Sequence, residues 1–247
     1  MNQLAETAPL GTPLTETQRV IDTFVAPTKT FIDIRRKATF WGPLVVMILV
    51  GIAFGFSVQK KIGWEQVFEN NIHQTPAKAE KIESAPNADS IKAISAKVTA
   101  IFTYGYFVVA LLFTAIYALL LWVTINFGFG GTAKYSQIYA TSLYAGLVMN
   151  IKFLLGIVAI FAGLAPDSFL ISNPVGSNVG YYLSSDFPLW LRAFCSHIDV
   201  FELWSVVLTI LGVAVVAKVS RGKAAAVVIG WWVIFVLVAV GAAAVQG

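Results

Sequence analysis

Long apolar runs, each closed by charged or turn-forming residues, constrain this chain more than any other feature. The clearest is the stretch from Asp199 to Ala226. It opens with two carboxylates, Asp199 and Glu202, around an aromatic start, and it carries no charge from Val206 to Val216. It closes on Lys218, Arg221 and Lys223, and apolar sequence resumes at once. Acids in a helix's first turn and bases beyond its last complement the macrodipole. The basic end also suits the cytoplasmic edge of a bilayer. The stretch therefore predicts one membrane-spanning helix and a tight cytoplasmic turn into the next. Composition agrees, since only 12% of residues are charged and 57% are hydrophobic, whereas soluble domains are about 25% charged. The expected fold class is an all-α membrane protein, a five-transmembrane-helix bundle with short interfacial amphipathic helices.

Taken in order, residues 1–18 are polar and rich in Pro and Thr, and are expected to form a disordered arm. Residues 19–247 form the membrane domain. Val20, Ile21, Phe24 and Val25, then Phe31, Ile32 and Ile34, recur at helical spacing before Arg35, Arg36 and Lys37. That pattern predicts an amphipathic segment on the cytoplasmic face, with its basic cluster at lipid headgroups. Spans are expected at about 41–58, 98–127, 137–164, 200–217 and 224–245. Gly51 and Gly55 in the first span form a small-xxx-small pair, a packing face within a bundle. The loop after it places Trp64, Val67, Phe68 and Ile72 on one helical face, followed by the solvated His73. A second large loop covers 165–197, with turn signals at Asn173-Pro174 and Asn178-Val-Gly180 and a short apolar helix around Leu189 to Cys195.

Five spans put nine bases on the N-terminal side: Arg19, Lys29, Arg35, Arg36, Lys37, Lys134, Lys218, Arg221 and Lys223. Seven fall opposite: Lys60, Lys61, Lys78, Lys81, Lys92, Lys97 and Arg192. The clusters at span ends decide the orientation, N-terminus in the cytoplasm and C-terminus outside. The excess of bases thus reads as topology, and nucleic acid is not an expected partner. The lone Cys195 excludes an intrachain disulfide and a multi-cysteine metal site.

The oddest residue is Lys152, deep in the third span, two positions after Asn150. A charge at that depth costs about 2.5–3.5 kcal/mol on the insertion scale and needs a partner or a polar cavity. The carboxylates at the head of span four are the nearest in topology, so Lys152, Asn150, Asp199 and Glu202 form a candidate intramembrane polar site. A direct contact needs span ends of unequal height or a bridging water. Arg35, Arg36, Lys37, Lys218, Arg221 and Lys223 are candidate headgroup contacts. His197, Asp199 and Glu202 could be drawn as metal ligands, but the expected use is a carboxylate pair at a helix N-terminus. No nucleophile elbow, zinc-protease helix or phosphate loop occurs, and neither an enzyme activity nor a cofactor is expected.

Phe24-x-x-Pro27-x-x-Thr30-Phe31-x-x-Ile34, followed by Trp41-x-Pro43, resembles the opening of bacterial members of the Ypt-interacting-protein (Yip) domain family. The Gly130-Gly131 turn with Tyr135 is similar to that family's middle. Asp199-Val-Phe-Glu-Leu-Trp204, with Gly212 and Lys218-x-Ser220-Arg-Gly222-Lys-Ala224, looks like its most recognisable stretch. The likeness covers roughly residues 24–245. The Asp-Leu-Tyr-Gly-Pro motif of eukaryotic trafficking members is absent, which disfavours their small-GTPase role and suggests a bacterial protein. The resemblance implies a non-enzymatic multi-pass adaptor or scaffold in the bacterial cytoplasmic (inner) membrane. It would contact membrane lipids and assemble or organise other machinery, such as ABC-type transporter subunits, or shape the membrane, with homo-oligomers open. The alternative from the residues alone is a transporter or lipid-binding protein built on the polar site around Lys152.

Overall fold

A computed structural model of the chain describes residues 12–246. The arm expected over 1–18 lies mostly outside the described residues, and its last three positions already belong to a helix. In chain order the helices are α1 (Glu16–Val25), α2 (Pro27–Arg36), α3 (Trp41–Lys61), α4 (Trp64–Ile72), α5 (Pro76–Glu83) and α6 (Ala88–Tyr104). They are followed by α7 (Tyr106–Val123), α8 (Tyr135–Ala145), α9 (Val148–Phe161), α10 (Leu189–Ser196), α11 (Val200–Ala217) and α12 (Arg221–Gln246). No strand occurs among the described residues. Among the described residues, five helices are long and apolar enough to cross a membrane: Trp41–Lys61, Tyr106–Gly128, Tyr135–Phe161, Val200–Ala217 and Arg221–Gln246. The chain is an all-α multi-pass membrane protein.

Two of the spans expected from the sequence are broken. The second begins at Tyr106 rather than near Val98, because Gly105 ends α6 and its N–H bonds back to the Ile101 carbonyl at 2.8 Å. The third breaks at Gly146 and Leu147, where hydrogen bonds tighten to three-residue steps such as Leu147 N–H to Tyr144 O at 3.1 Å. Glycine is the weakest ordinary helix former, and each break falls at one.

The N-terminal hairpin α1–α2 shows how sequence becomes packing. Thr15 and Gln18 cap α1 reciprocally: the Gln18 N–H donates to the Thr15 hydroxyl, and the Thr15 N–H donates to the Gln18 side chain. Pro27 starts α2 at the position where its missing N–H matters least. Arg19 is buried and pairs with Asp33 at 2.7 Å, a contact that binds the two helices. The hairpin's apolar face is seated in the bundle, not only on the bilayer surface. Phe31 and Ile34 are fully buried, and α2 packs along α11. The approach depends on Gly212 of α11, where a Cβ would lie 2.3 Å from the Thr141 methyl and 3.0 Å from the Phe31 ring. Arg36 and Lys37 remain exposed at the outer edge.

The 124–134 turn meets the same end. Gly130 takes a positive φ of 73°, and the Thr132 N–H donates to the Ala217 carbonyl at 3.1 Å. Gln137 reaches Arg35 O at 3.0 Å. This hairpin end therefore gathers α1–α2, the 124–134 turn and the Lys218 turn. At the opposite, loop end, α4 packs on α6 and the 166–169 turn, with Asn70 donating to the carbonyls of Pro166 (2.7 Å) and Phe169 (2.8 Å). α10 lies along α12. The main core centres on the fully buried Tyr144, with a second around Phe54, Val58 and Phe169.

Tyr144 also ties the hairpin to the bundle through Glu16. The Tyr144 hydroxyl donates to Glu16 at 2.6 Å, the Gly42 N–H donates at 2.9 Å, and Thr39 donates to the other oxygen. Partial burial pushes the Glu16 carboxyl up, but these hydrogen bonds and the Arg19 charge outweigh it, so its pKa is lowered. A depressed carboxylate stabilises the docked state above its unfolded pKa and loses that effect as pH falls through the folded one. A spin label on exposed Ile21 is therefore expected to stay immobile down through the ordinary glutamate range and to loosen only below it. Glu16→Gln abolishes that acid step. Phe31→Ala is expected to destabilise the bundle by about 3–5 kcal/mol in a detergent unfolding titration.

Candidate functional site

Asp199 is the N-cap of α11, and the local sequence explains why. Its Oδ1 accepts the N–H of Phe201 at 2.8 Å and of Glu202 at 3.2 Å, two of the donors that a helix start leaves unpaired. The second oxygen, Oδ2, accepts three more donors: Lys152 Nζ at 2.9 Å, Ser177 Oγ at 2.6 Å and Asn178 Nδ2 at 3.3 Å. Asp199 is 1% exposed and Lys152 12%. The ion pair is thus sequestered and the carboxylate is saturated.

Lys152 and Asp199 meet directly because they stand at matching heights. Lys152 is 17 residues beyond Tyr135, and Asp199 is 18 before Ala217, so both lie roughly 25–27 Å from the hairpin end. The sequence placed Lys152 near mid-span because it treated residues 137–164 as a single span centred in the bilayer. In the fold, α11 starts low. It has 18 residues against 26 in α12, and α10 covers the rest of α12's length.

The loop end is organised by the same carboxylate. Asn178 forms an isolated antiparallel bridge with Asp199, and the Val200 N–H donates to Ser177 O at 3.1 Å. Asn173 and Asn178 exchange amide hydrogen bonds at 3.2 and 2.6 Å. Asn178 Oδ1 also accepts the Tyr181 N–H at 2.9 Å. The 173–182 segment is therefore pinned to the head of α11 and, through Lys152, to the third span.

The other expected members stand apart from this cluster. Glu202 turns away from Lys152: it accepts the Trp232 indole N–H at 2.6 Å and lies 3.0 Å from His197 Nδ1. Asn150 is buried, and its Nδ2 donates to the Leu147 carbonyl at the break in the third span, 3.2 Å away. His197, Asp199 and Glu202 do not converge on one point, since both Asp199 oxygens are engaged elsewhere. Among the described residues, Glu69, His73 and Glu83 do bring ligand atoms within 4.8 Å of one another. That group lies on the surface, and Lys92 takes the Glu69 carboxylate at 2.7 Å, so it reads as a solvated charge network joining α4 to α6. Lys218 stands exposed in the left-handed region, with φ of 56°, and forms the sharp turn after α11. Arg221 and Lys223 beside it are exposed, and Lys223 Nζ donates to Phe129 O at 3.1 Å.

Sequence reasoning missed Ser177, Asn178 and Trp232. Asn178 carried a turn signal, but nothing local showed that its amide would face Asp199, 21 residues away. Trp232 appeared only as part of an apolar span.

The cluster can hold a loop on a bundle, but no oxygen of Asp199 is left to act as a base. The family model described as the Yip1 domain matches residues 21–242. No curated protein and no solved structure matches the chain.

Removing one partner of a buried ion pair leaves the other charge uncompensated, at about 3–5 kcal/mol. Lys152→Met is expected to destabilise the protein by that amount in an unfolding titration in lipid bicelles. Lys152→Met combined with Asp199→Asn is expected to recover most of the loss.

Proposed function

Because the chain belongs to the Yip1 domain family, a family of non-catalytic membrane proteins, we propose that it is a non-enzymatic multi-pass adaptor. It supports the assembly or organisation of other membrane machinery, such as the subunits of an ABC-type exporter, in a bacterial inner membrane. The observation that carries this reading is the saturation of Asp199. A group that turned over a substrate or carried an ion would need a free oxygen or proton acceptor, and all five of its hydrogen bonds are internal. The cluster instead gives the 173–199 segment a fixed shape at the loop end. A rigid loop on a helical scaffold is a surface that a partner can bind without an ordering penalty.

The same saturation weighs against the alternative of a transporter or lipid carrier working through Lys152. Placement in the cytoplasmic membrane with the N-terminus inside is supported by the bases at span ends. Exposed Arg36, Lys37, Lys218, Arg221 and Lys223 share the hairpin end with half-buried Arg35, where anionic headgroups would lie.

Purification from the native membrane into lipid nanodiscs, followed by mass spectrometry, tests the adaptor. A membrane-protein partner at near-equal amounts is expected, and its recovery is expected to fall when Asn178→Ala loosens the loop. A protein recovered alone, in wild type and variant alike, would contradict the reading.

A further inference from the structure

The glycine pair of α3 reads in sequence as one packing face, and the structure splits it. At Gly55 a Cβ would come within 2.7 Å of the Tyr104 ring, so that glycine is where α6 closes on α3. At Gly51, one turn earlier, a Cβ would meet nothing within 4 Å. Gly51 opens on a cavity of about 370 Å³, walled by Phe54 of α3, Val98 and Phe102 of α6, Tyr106 of α7 and Phe153 of α9. Thr99 and Thr103 also line it, but their hydroxyls are spent on the carbonyls of Ser95 at 2.9 Å and Thr99 at 2.8 Å. Of the hydroxyl side chains lining the cavity, those of Tyr106 and Ser172 are left to offer a polar contact.

Depth decides what fills such a space. Gly51 is the central residue of α3 (Trp41–Lys61), so it lies about 15 Å of helix rise from either end. The hydrocarbon core of a bilayer is about 30 Å thick, which puts Gly51 near its middle, while Tyr106 at the start of the second span and Ile171 and Ser172 of the 165–197 loop carry the cavity toward the loop-side edge. Val98 and Phe102 are 44% and 62% exposed, so the cavity opens on the outside of the bundle. At that depth the outside is lipid. Water gains too few hydrogen bonds in an apolar space of this kind to stay, and an empty cavity forfeits dispersion contacts along all of its walls.

We infer that this cavity is a lipid site, taking one acyl chain of a bilayer phospholipid between α3 and α6. It is separate from the Lys152–Asp199 cluster and does not depend on the adaptor reading. The chain fills the gap below the point where Tyr104 touches Gly55 and donates to Gln59 at 2.8 Å. Seated there, it sets the angle at which α6 leaves the Gly105 break and carries α4 at the loop end.

The open space at Gly51 supplies the test, because a Cβ there meets no protein atom and a larger side chain extends into the cavity. Gly230 on α12 is exposed, and a Cβ there also meets nothing, so Gly230→Trp controls for bulk on a lipid-facing helix. Wild type, Gly51→Leu, Gly51→Trp and Gly230→Trp are released from nanodiscs of phosphatidylethanolamine and phosphatidylglycerol, and retained lipid is counted by native mass spectrometry. Wild type and Gly230→Trp are expected to keep a single phospholipid that the Gly51 variants lose. If Gly51→Trp does not fold, Gly51→Leu carries the comparison. Wild type without retained lipid, or Gly51 variants with as much as wild type, would overturn the site.

Discussion

A lysine that reaches an aspartate inside a membrane bundle constrains everything around it. The pair between Lys152 and Asp199 joins the third span to the N-cap of the fourth, 47 positions later. Charges in low dielectric attract strongly but are costly to desolvate, and they persist only where every remaining lone pair is satisfied. Here Asp199 meets that condition with backbone donors from its own helix on one oxygen and with Ser177 and Asn178 on the other. The result fixes the height of α11, leaves α10 to pack on the outer part of α12, and holds the 173–182 segment.

The hairpin end is built by the same logic with different atoms. Arg19 and Asp33 are buried opposites that join α1 to α2, and Glu16 gathers hydrogen bonds from Thr39, Gly42 and Tyr144. Phe31 then enters the space kept open by Gly212. Each end of the bundle is therefore closed by one buried ion pair with its hydrogen bonds completed locally. Between them the bundle is held mainly by apolar packing, with hydrogen bonds such as that from the Tyr135 hydroxyl to the Ala115 carbonyl, and the cavity runs from Gly51 toward the loop end.

Much of this was legible in the sequence, and the boundary of legibility is physical. Apolar length and the bases at span ends give the five helices, because a bilayer imposes both. The oddness of Lys152 and the nearness of Asp199 in topology follow from the cost of a buried charge. The docking of the hairpin does not, since Arg19 and Asp33 look like ordinary solvated charges until the fold buries them. Nor does the choice of Asp199 over Glu202, because it depends on helix height to within one turn and on a loop amide 21 residues away. The two glycines of α3 look alike in sequence, and only the position of α6 separates a contact from a void.

The most direct test of the central constraint is a solid-state NMR distance between the Lys152 side-chain nitrogen and the Asp199 carboxyl carbon, in protein reconstituted in lipid. An ion pair with a nitrogen–oxygen distance of 2.9 Å predicts strong dipolar dephasing between the two labels. Its absence, with the protein folded, would show that the charges do not meet and that something else holds the loop to the bundle.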